Sequence, residues 1–470
     1  MFLIILYVYF VSFLDKPEKT APQLSPRAVE QRAKWHIPTD GMDYPVSPTY
    51  MNALTKKGVK IYHKSRWFNG VTCEMDSATA AEVAKLRFVT DVEMTRDNSD
   101  PIYAPKRRYQ HSAVSSPQSD DPDWTEKQLA LYNLSPLHEA GYEGQGILMS
   151  ICDGGFKKAD KMNCFRQKEL QLGAFDFTDD TDDFYGSTGT HGTYCLSTIS
   201  GIAEGYYGAA VKAQYYLMRS EENDTESPKE MDNLVAALET ADSLGVNIFS
   251  VSLGYAMFDN SAWTLDKSTD LDGKTTRASR AATIAARKGM LVCVAAGNEG
   301  NSDWKTISAP ADADSILTVG AVTVDSLIGS FSSYGPSSDG RIKPEVCAVG
   351  VQATLINPDG TIVRNNGTSF ATPLLAGLAA SLWSALPDEN AMQIRERIIR
   401  SADRYTTPDY QRYGYGIPDA WKAYTMKKPT GIENGEWRMD NGQCQKILHD
   451  GKLLIRRGDK TYSITGQIVE

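Results

Sequence analysis

Two short, nearly continuous apolar runs constrain this chain more than any other feature: Ile147-Leu148-Met149-Ser150-Ile151-Cys152 and Met290-Leu291-Val292-Cys293-Val294-Ala295-Ala296. Neither alternates polar with apolar, so each suits a parallel strand buried on both faces. Both stop abruptly, the first in Asp153-Gly154-Gly155 and the second in Gly297-Asn298-Glu299-Gly300. A polar residue at the carboxyl end of such a strand lies on the face where open α/β sheets place their sites. By itself D-G-G is a common turn.

A third stretch, Asn366 to Gly377, reads N-G-T-S-F-A-T-P-L-L-A-G. Gly367 would permit a tight turn. Phe370, Ala371, Leu374, Leu375, Ala376, Leu378, Ala379 and Leu382 are dense enough for a buried helix, with Pro373 expected in its first turn. Ser369 would then sit at the positive end of a helix dipole, a place that suits an oxygen developing negative charge. Alone, G-T-S is an ordinary helix cap. A nucleophilic serine also needs a base, an orienter of that base and oxyanion donors. His191, within S-T-G-T-H-G-T, has small neighbours that leave its ring accessible. Asp153 supplies a carboxylate, and the Asn298 amide can donate to an oxyanion.

The chain order is Asp153, His191, Asn298, Ser369, and the sequence resembles the subtilisin-like serine proteases (subtilases), which share it. The resemblance runs from about Leu129 to Tyr424 and includes V-S-L-G at Val251–Gly254, S-S-Y-G-P at Ser332–Pro336 and D-G-R-I-K-P-E at Asp339–Glu345. It implies a three-layer α/β/α fold around a parallel sheet. It also implies a serine endopeptidase without a cofactor. Ser369 would be the nucleophile, His191 the base and Asp153 its orienter, with Asn298 and the Ser369 N–H holding the oxyanion. It assigns Ser252, Leu253 and Gly254 to an edge that pairs with extended substrate, and Ala295, Ala296 and Gly297 to the opposite wall of the first specificity pocket. Many subtilases carry serine or threonine after the aspartate; here Gly154 removes that hydroxyl. Two other classes compete. A catalytically silent subtilase acting as a peptide-binding or adhesive surface protein is opposed by the intact set of four residues. A lipase or esterase would need a G-x-S-x-G elbow, which the residues around Ser369 do not supply.

At 470 residues the chain has room for two or three domains. A formal net charge of −10 argues against a nucleic-acid partner. No window of 18 apolar residues predicts a transmembrane segment. Met1 to Leu14 is strongly apolar but lacks a basic start and a clear cleavage site, so residues 1–6 read as the remnant of a truncated signal. Of the seven cysteines, Cys152 and Cys293 read as small core residues, and Cys195 lies in an apolar helix and is rejected as nucleophile. The odd count leaves at least one free thiol unless chains cross-link, and no pairing is assigned.

Residues 7–95 read as a small α/β domain. Its expected strands are Tyr7–Leu14, Val59–Phe68, Val71–Glu74 and Phe88–Met94. Its expected helices start at Ser25-Pro26 and at Asp76-Ser77. Its place before a subtilase domain is similar to the inhibitory propeptide of that family, so the chain's own prodomain is an expected partner beside polypeptide substrates. L-S-P-R-A and Pro45 to Tyr50 resemble the leader of type IX-secreted subtilases. Residues 96–124, with four prolines and Lys106-Arg107-Arg108, have linker composition and suit maturation cleavage. The catalytic domain is expected over 125–425. Within it, Asp176, Asp179, Asp180, Asp182 and Asp183 form an acidic loop that could take a structural calcium ion, and Met231–Leu244 reads as an amphipathic helix ended by Gly245. Residues 426–443 form a second linker. Residues 444–470 read as a two-stranded hairpin resembling a type IX sorting tail, which implies type IX machinery as a partner and the exterior or surface of a Gram-negative bacterium as the location.

Overall fold

The computed structural model describes residues 5–98, 124–165, 167–178, 183–186, 189–222, 225–427, 445–449, 452–457 and 460–463. Met1–Tyr424 form one compact unit and Thr425–Glu470 a second.

The first unit opens with β1 (Tyr7–Phe13), α1 (Pro26–Lys34), α2 (Pro48–Thr55), β2 (Lys60–Ser65), β3 (Gly70–Met75), α3 (Ser77–Val83) and β4 (Val89–Asp97). The strands form an antiparallel sheet in the order β2-β3-β1-β4. The two expected caps are made: Ser25 accepts the Ala28 N–H and Asp76 the Thr79 N–H. Helix α2 was not expected, although Ser47 caps it and Pro48 opens it in the same manner. Strand β4 extends two residues past the expected boundary at 95, because Tyr7 and Val8 of β1 pair with Asp97 and Arg96. Most of the expected signal remnant (1–4) and of the expected maturation linker (99–123) lies outside the described residues.

The chain continues through α4 (Trp124–Ala130), α5 (Ser135–Glu139), β5 (Leu148–Asp153), β6 (Gln171–Asp176), α6 (His191–Ser200), the short pair β7 (Ile202–Ala203) and β8 (Tyr206–Tyr207), and β9 (Gln214–Arg219). Next come α7 (Lys229–Leu244), β10 (Ile248–Val251), α8 (Arg277–Arg287), β11 (Leu291–Ala295), β12 (Leu317–Val322) and β13 (Val346–Val349). The hairpin β14 (Ala353–Ile356) and β15 (Ile362–Asn365) leads into α9 (Thr368–Ala385), α10 (Ala391–Ser401) and α11 (Ala420–Thr425).

A seven-stranded parallel sheet runs in the order β13-β12-β11-β10-β5-β9-β6. The two apolar runs are its β5 and β11, and each feeds two cores. Met149, Ile151, Leu291 and Cys293 face the core that holds α6 and α9. Leu148, Cys152, Val292 and Val294 face the core that holds α7 and α8. This is the expected three-layer α/β/α arrangement. Strands β5, β10 and β11 are neighbours in register, with Val251 opposite both Cys152 and Val294. Their carboxyl ends therefore bring Asp153, Ser252 and the Gly297-Asn298 turn to one edge.

Helix α7 ends as expected at Gly245, whose φ of 76° is left-handed. It differs from the expected amphipathic helix in that its polar side is not wet: Asp232, Asn233, Glu239 and Asp242 are all buried. The N-terminal sheet covers them. Arg66 pairs with Glu239 and Asp242, and Arg32 pairs with Asp242. His63 Nε2 lies 3.0 Å from Asn233 Oδ1. Arg277 of α8 pairs with Asp232 and reaches Glu93 of β4. A buried charge of this kind persists only when it is paired.

The second unit contains β16 (Gln445–His449), β17 (Lys452–Arg457) and β18 (Lys460–Ser463), an antiparallel three-stranded sheet where a two-stranded hairpin was expected. Cys444, residues 458–459 and most of the expected second linker lie outside the described residues.

Candidate active site

Asp153 is the last residue of β5 and is buried. His191 is the first residue of α6, with Nδ1 at 2.8 and 2.9 Å from the two Asp153 carboxylate oxygens. Gly192 makes this approach possible. Its N–H donates to the Gly155 carbonyl at 2.9 Å. A Cβ there would stand 2.6 Å from that oxygen, 2.7 Å from the Phe156 ring and 2.9 Å from Asp153 Cβ. The Gly154 N–H donates to Asp153 Oδ1 at 2.8 Å, so backbone supplies a bond beside the aspartate where a hydroxyl is absent.

Ser369 is the second residue of α9, fully buried, and its Oγ has no hydrogen-bond partner among the described residues. Two local expectations are corrected here. Gly367 has φ 162°, extended backbone rather than a left-handed turn. Pro373 lies inside the helix, past its first turn, because α9 already begins at Thr368. Its ring nitrogen has no proton to give the Ser369 carbonyl four residues back. Ser252 Oγ donates to that carbonyl instead, at 2.8 Å.

Asn298 follows β11 and is aimed by Thr368, a residue the sequence reading passed over. The Thr368 N–H and hydroxyl both donate to Asn298 Oδ1, at 2.9 and 3.0 Å. Two donors fix the oxygen end of the amide, so its NH₂ end points away from Thr368. The Gly297 N–H closes the loop on Thr368 Oγ1 at 3.2 Å. The threonine of G-T-S, next to the candidate nucleophile, was the available signal.

Among the residues expected to meet substrate, Ser252, Leu253, Ala295 and Ala296 are buried and Gly254 and Gly297 half-buried. The Ser252 side chain is engaged internally, so only its backbone is available for pairing. Gly297 has φ 107° and a Cβ there would lie 2.8 Å from Ser333 Oγ. Ser308, also passed over, sits between the two walls: its Oγ fills the space of a Cβ at Gly254 and lies 3.4 Å from one at Gly297.

Asp153, His191 and Cys195 offer donor atoms within 4.8 Å of one another. Burial first, then the Asp153 charge, pushes the Cys195 thiol well above its ordinary value. A neutral thiol is neither a metal-binding thiolate nor a nucleophile. The described cysteines Cys73, Cys152, Cys164, Cys195, Cys293 and Cys347 are all buried. In the acidic loop, Asp176 is taken by Arg219 at 3.2 Å and by the Thr178 N–H at 3.0 Å, and Asp183 accepts the Tyr185 N–H. Asp179, Asp180 and Asp182 lie outside the described residues. Among the described residues no helix is long and apolar enough to cross a membrane.

Residues 144–416 match the Subtilase family, and residues 8–112 match the Peptidase S8 propeptide domain, Bacteroidota. Subtilisin NAT of Bacillus subtilis subsp. natto is 27% identical over 371 residues, covering 78% of this chain and 83% of that protein. A subtilisin of Bacillus pumilus is 29% identical over 286 residues, covering 60% and 92%. The crystal structure of MycP1 from Mycobacterium smegmatis is similar in fold, with a TM-score of 0.53 at 21% identity, over 67% of this chain and 88% of that one. With more than half its length matched, the chain belongs to the subtilase family of serine endopeptidases and carries an S8 propeptide domain ahead of its catalytic domain.

Proposed function

We propose that this endopeptidase works through Asp153, His191 and Ser369 and an acyl-enzyme intermediate. The observation that carries the reading is the His191 Nδ1 contact with both Asp153 oxygens, at 2.8 and 2.9 Å. That contact holds the proton on Nδ1 and leaves Nε2 to act as base. Ser369 Oγ attacks the scissile carbonyl while His191 Nε2 takes its proton. The oxyanion is held by the Asn298 amide N–H and the Ser369 backbone N–H. His191 then gives the proton to the leaving amine. Water attacks the ester with His191 again as base, and Ser369 is restored. Ser252-Leu253-Gly254 pairs with extended substrate by backbone, and Ala295-Ala296-Gly297 forms the facing wall. No organic cofactor enters these steps. A calcium ion at the acidic loop would be structural.

The expected division of the chain supports export as a zymogen. The leader to about residue 95 restrains the enzyme, a cut within 96–124 matures it, and the tail after Tyr424 addresses it through type IX machinery to the outside or surface of a Gram-negative cell. The test of the chemistry is covalent labelling of the matured protein by a fluorophosphonate, followed by mass mapping. Label on Ser369 is expected. A folded protein that takes no label there, yet binds peptides, would be the silent peptide-binding subtilase instead.

A further inference from the structure

Ser369 is held by groups outside its own helix. As the second residue of α9, its N–H has no carbonyl four residues back within the helix, which leaves that N–H for an oxyanion. Its carbonyl would be the helix's main hold on it, and Pro373 cannot donate there. Two buried side chains donate instead. Ser252 Oγ lies 2.8 Å from the Ser369 oxygen, and Cys195 Sγ lies 3.2 Å from it. Cys195 Sγ is also 3.5 Å from Ser252 Oγ and 3.9 Å from His191 Nδ1. All three residues are at most 1% exposed. Cys195 stands one turn after His191 on the same face of α6. Ser252 follows β10, the neighbour of the strand that ends in Asp153. One carbonyl oxygen thus ties together the helix of the base, the strand end that borders the substrate, and the helix of the nucleophile.

We infer that Cys195 and Ser252 are positioning residues. They replace the helical bond that Pro373 cannot make, and so set the distance and aim of Ser369 Oγ relative to His191. The inference rests on the triad reading above. Its chemistry requires both groups as donors, a hydroxyl and a neutral thiol, and the low dielectric around them strengthens the pair. An error of a fraction of an ångström at the nucleophile is enough to slow attack.

The experiment measures acylation of the matured enzyme by a chromogenic ester and by a fluorophosphonate, with kcat and KM for a peptide and the thermal midpoint of each variant. Ser252→Ala and Cys195→Val should each slow acylation and kcat by about tenfold, with KM little changed. Cys195→Ser, which keeps a donor, should lose less than Cys195→Val. Pro373→Ala restores an N–H to the Ser369 carbonyl, so it should recover much of the loss in the Ser252→Ala background. Acylation within twofold of wild type in Ser252→Ala and Cys195→Val, whatever their thermal midpoints, overturns the inference. So does a Ser252→Ala Pro373→Ala protein that recovers nothing. If Ser252→Ala does not fold, the Cys195→Ser and Cys195→Val pair decides: equal rates overturn it. A wild-type enzyme that takes no label at Ser369 instead overturns the triad reading, and this inference with it.

Discussion

Arg32 Nη2 contacts both carboxylate oxygens of Asp242, at 2.8 and 2.7 Å, with both side chains buried. Arg32 belongs to α1 of the leader and Asp242 to α7 of the catalytic part. Arg66 Nη2 reaches the same carboxylate at 2.6 Å. Removing the acid would take one carboxylate partner from each of two guanidinium groups, leaving Arg32 with Asp43 and Arg66 with Glu239, and breaking a buried pair from one side costs about 2–5 kcal/mol. Asp242→Ala in the catalytic part should therefore weaken inhibition by a separately added leader by about 30- to 4000-fold, at about 1.4 kcal/mol per tenfold. Peptide turnover without leader should be unchanged. Inhibition constants of wild type and variant check it, and equal constants would reduce the leader to a passive domain.

A second carboxylate on α7 makes the leader's grip depend on pH. Glu239 accepts from Ser65 Oγ at 2.6 Å and from the N–H groups of Arg66 and Trp67 at 2.9 and 3.1 Å. Burial pushes its carboxyl above the usual range, with Arg66 pulling the other way. Without the leader that burial is relieved, so association takes up protons. Glu239 thus favours the complex most below the ordinary carboxylate range, and less as pH rises through its raised value. Asp43 slopes oppositely: burial works against it, but Lys288 and Arg32 hold its carboxyl low, and its contribution is lost in acid. Glu239→Gln keeps an acceptor and cannot titrate, so it should flatten the Glu239 part of the profile. Superimposable profiles of inhibition against pH would exclude Glu239 as the titrating group.

For the reaction itself, Ser369→Ala should lower kcat by about 10⁶, the size seen when the nucleophile of such a triad is removed. Asp153→Asn should keep the fold and lose about 10⁴, because His191 is then free to carry its proton on the wrong nitrogen. Turnover of pure, folded proteins checks both; a tenth of wild-type activity in Ser369→Ala would falsify the assignment.

The Asn298 amide is oriented by its neighbour, which separates two effects. Asn298→Ala should cost about 10²–10³ in kcat with KM little changed, the usual size for one lost oxyanion donor. Thr368→Val removes one of the two bonds to Asn298 Oδ1 and leaves the backbone N–H, so its loss should be about tenfold or less. If Thr368→Val matched Asn298→Ala, the threonine would have a role beyond aiming the amide.

The compact unit that holds the site ends at Tyr424. A chain ending there should fold and cleave peptides in vitro but fail to cross the outer membrane of a host with type IX secretion. Unfolding on truncation, or unchanged export, would make the tail structural packing. Fractionation of cells expressing both lengths distinguishes these outcomes.

Legibility in the sequence followed how local the cause was. Strands β5 and β11 were readable because burial on both faces leaves an uninterrupted apolar run. The caps Ser25 and Asp76 were readable because one side chain serves one nearby N–H. Helix α2 carries the same Ser-Pro signature at Ser47-Pro48, but it is only 8 residues long, too short for a clear helical period. The helix at Ser369 was foreseen, but its first residue was not, and that placed Pro373 in the wrong turn. The amphipathic pattern of α7 marks a polar side but does not say what covers it, because Arg32 and Arg66, which pair with its acids, lie far back in the chain. Thr368 and Ser252 act on backbone and amide groups across the sheet edge, which periodicity does not encode.

The buried face of α7 separates severing from release. The ion pairs that hold the leader there join Arg32 and Arg66 to Glu239 and Asp242, and beside it Arg96 pairs with Glu222 and Glu93 with Arg277. A cut anywhere in 99–123 breaks none of them. The severed leader would keep its grip as a bound inhibitor, and the enzyme would wait on dissociation or digestion of that fragment. Activation would then run on two clocks, and the slower would be set by how often α7 can shed its arginines into water.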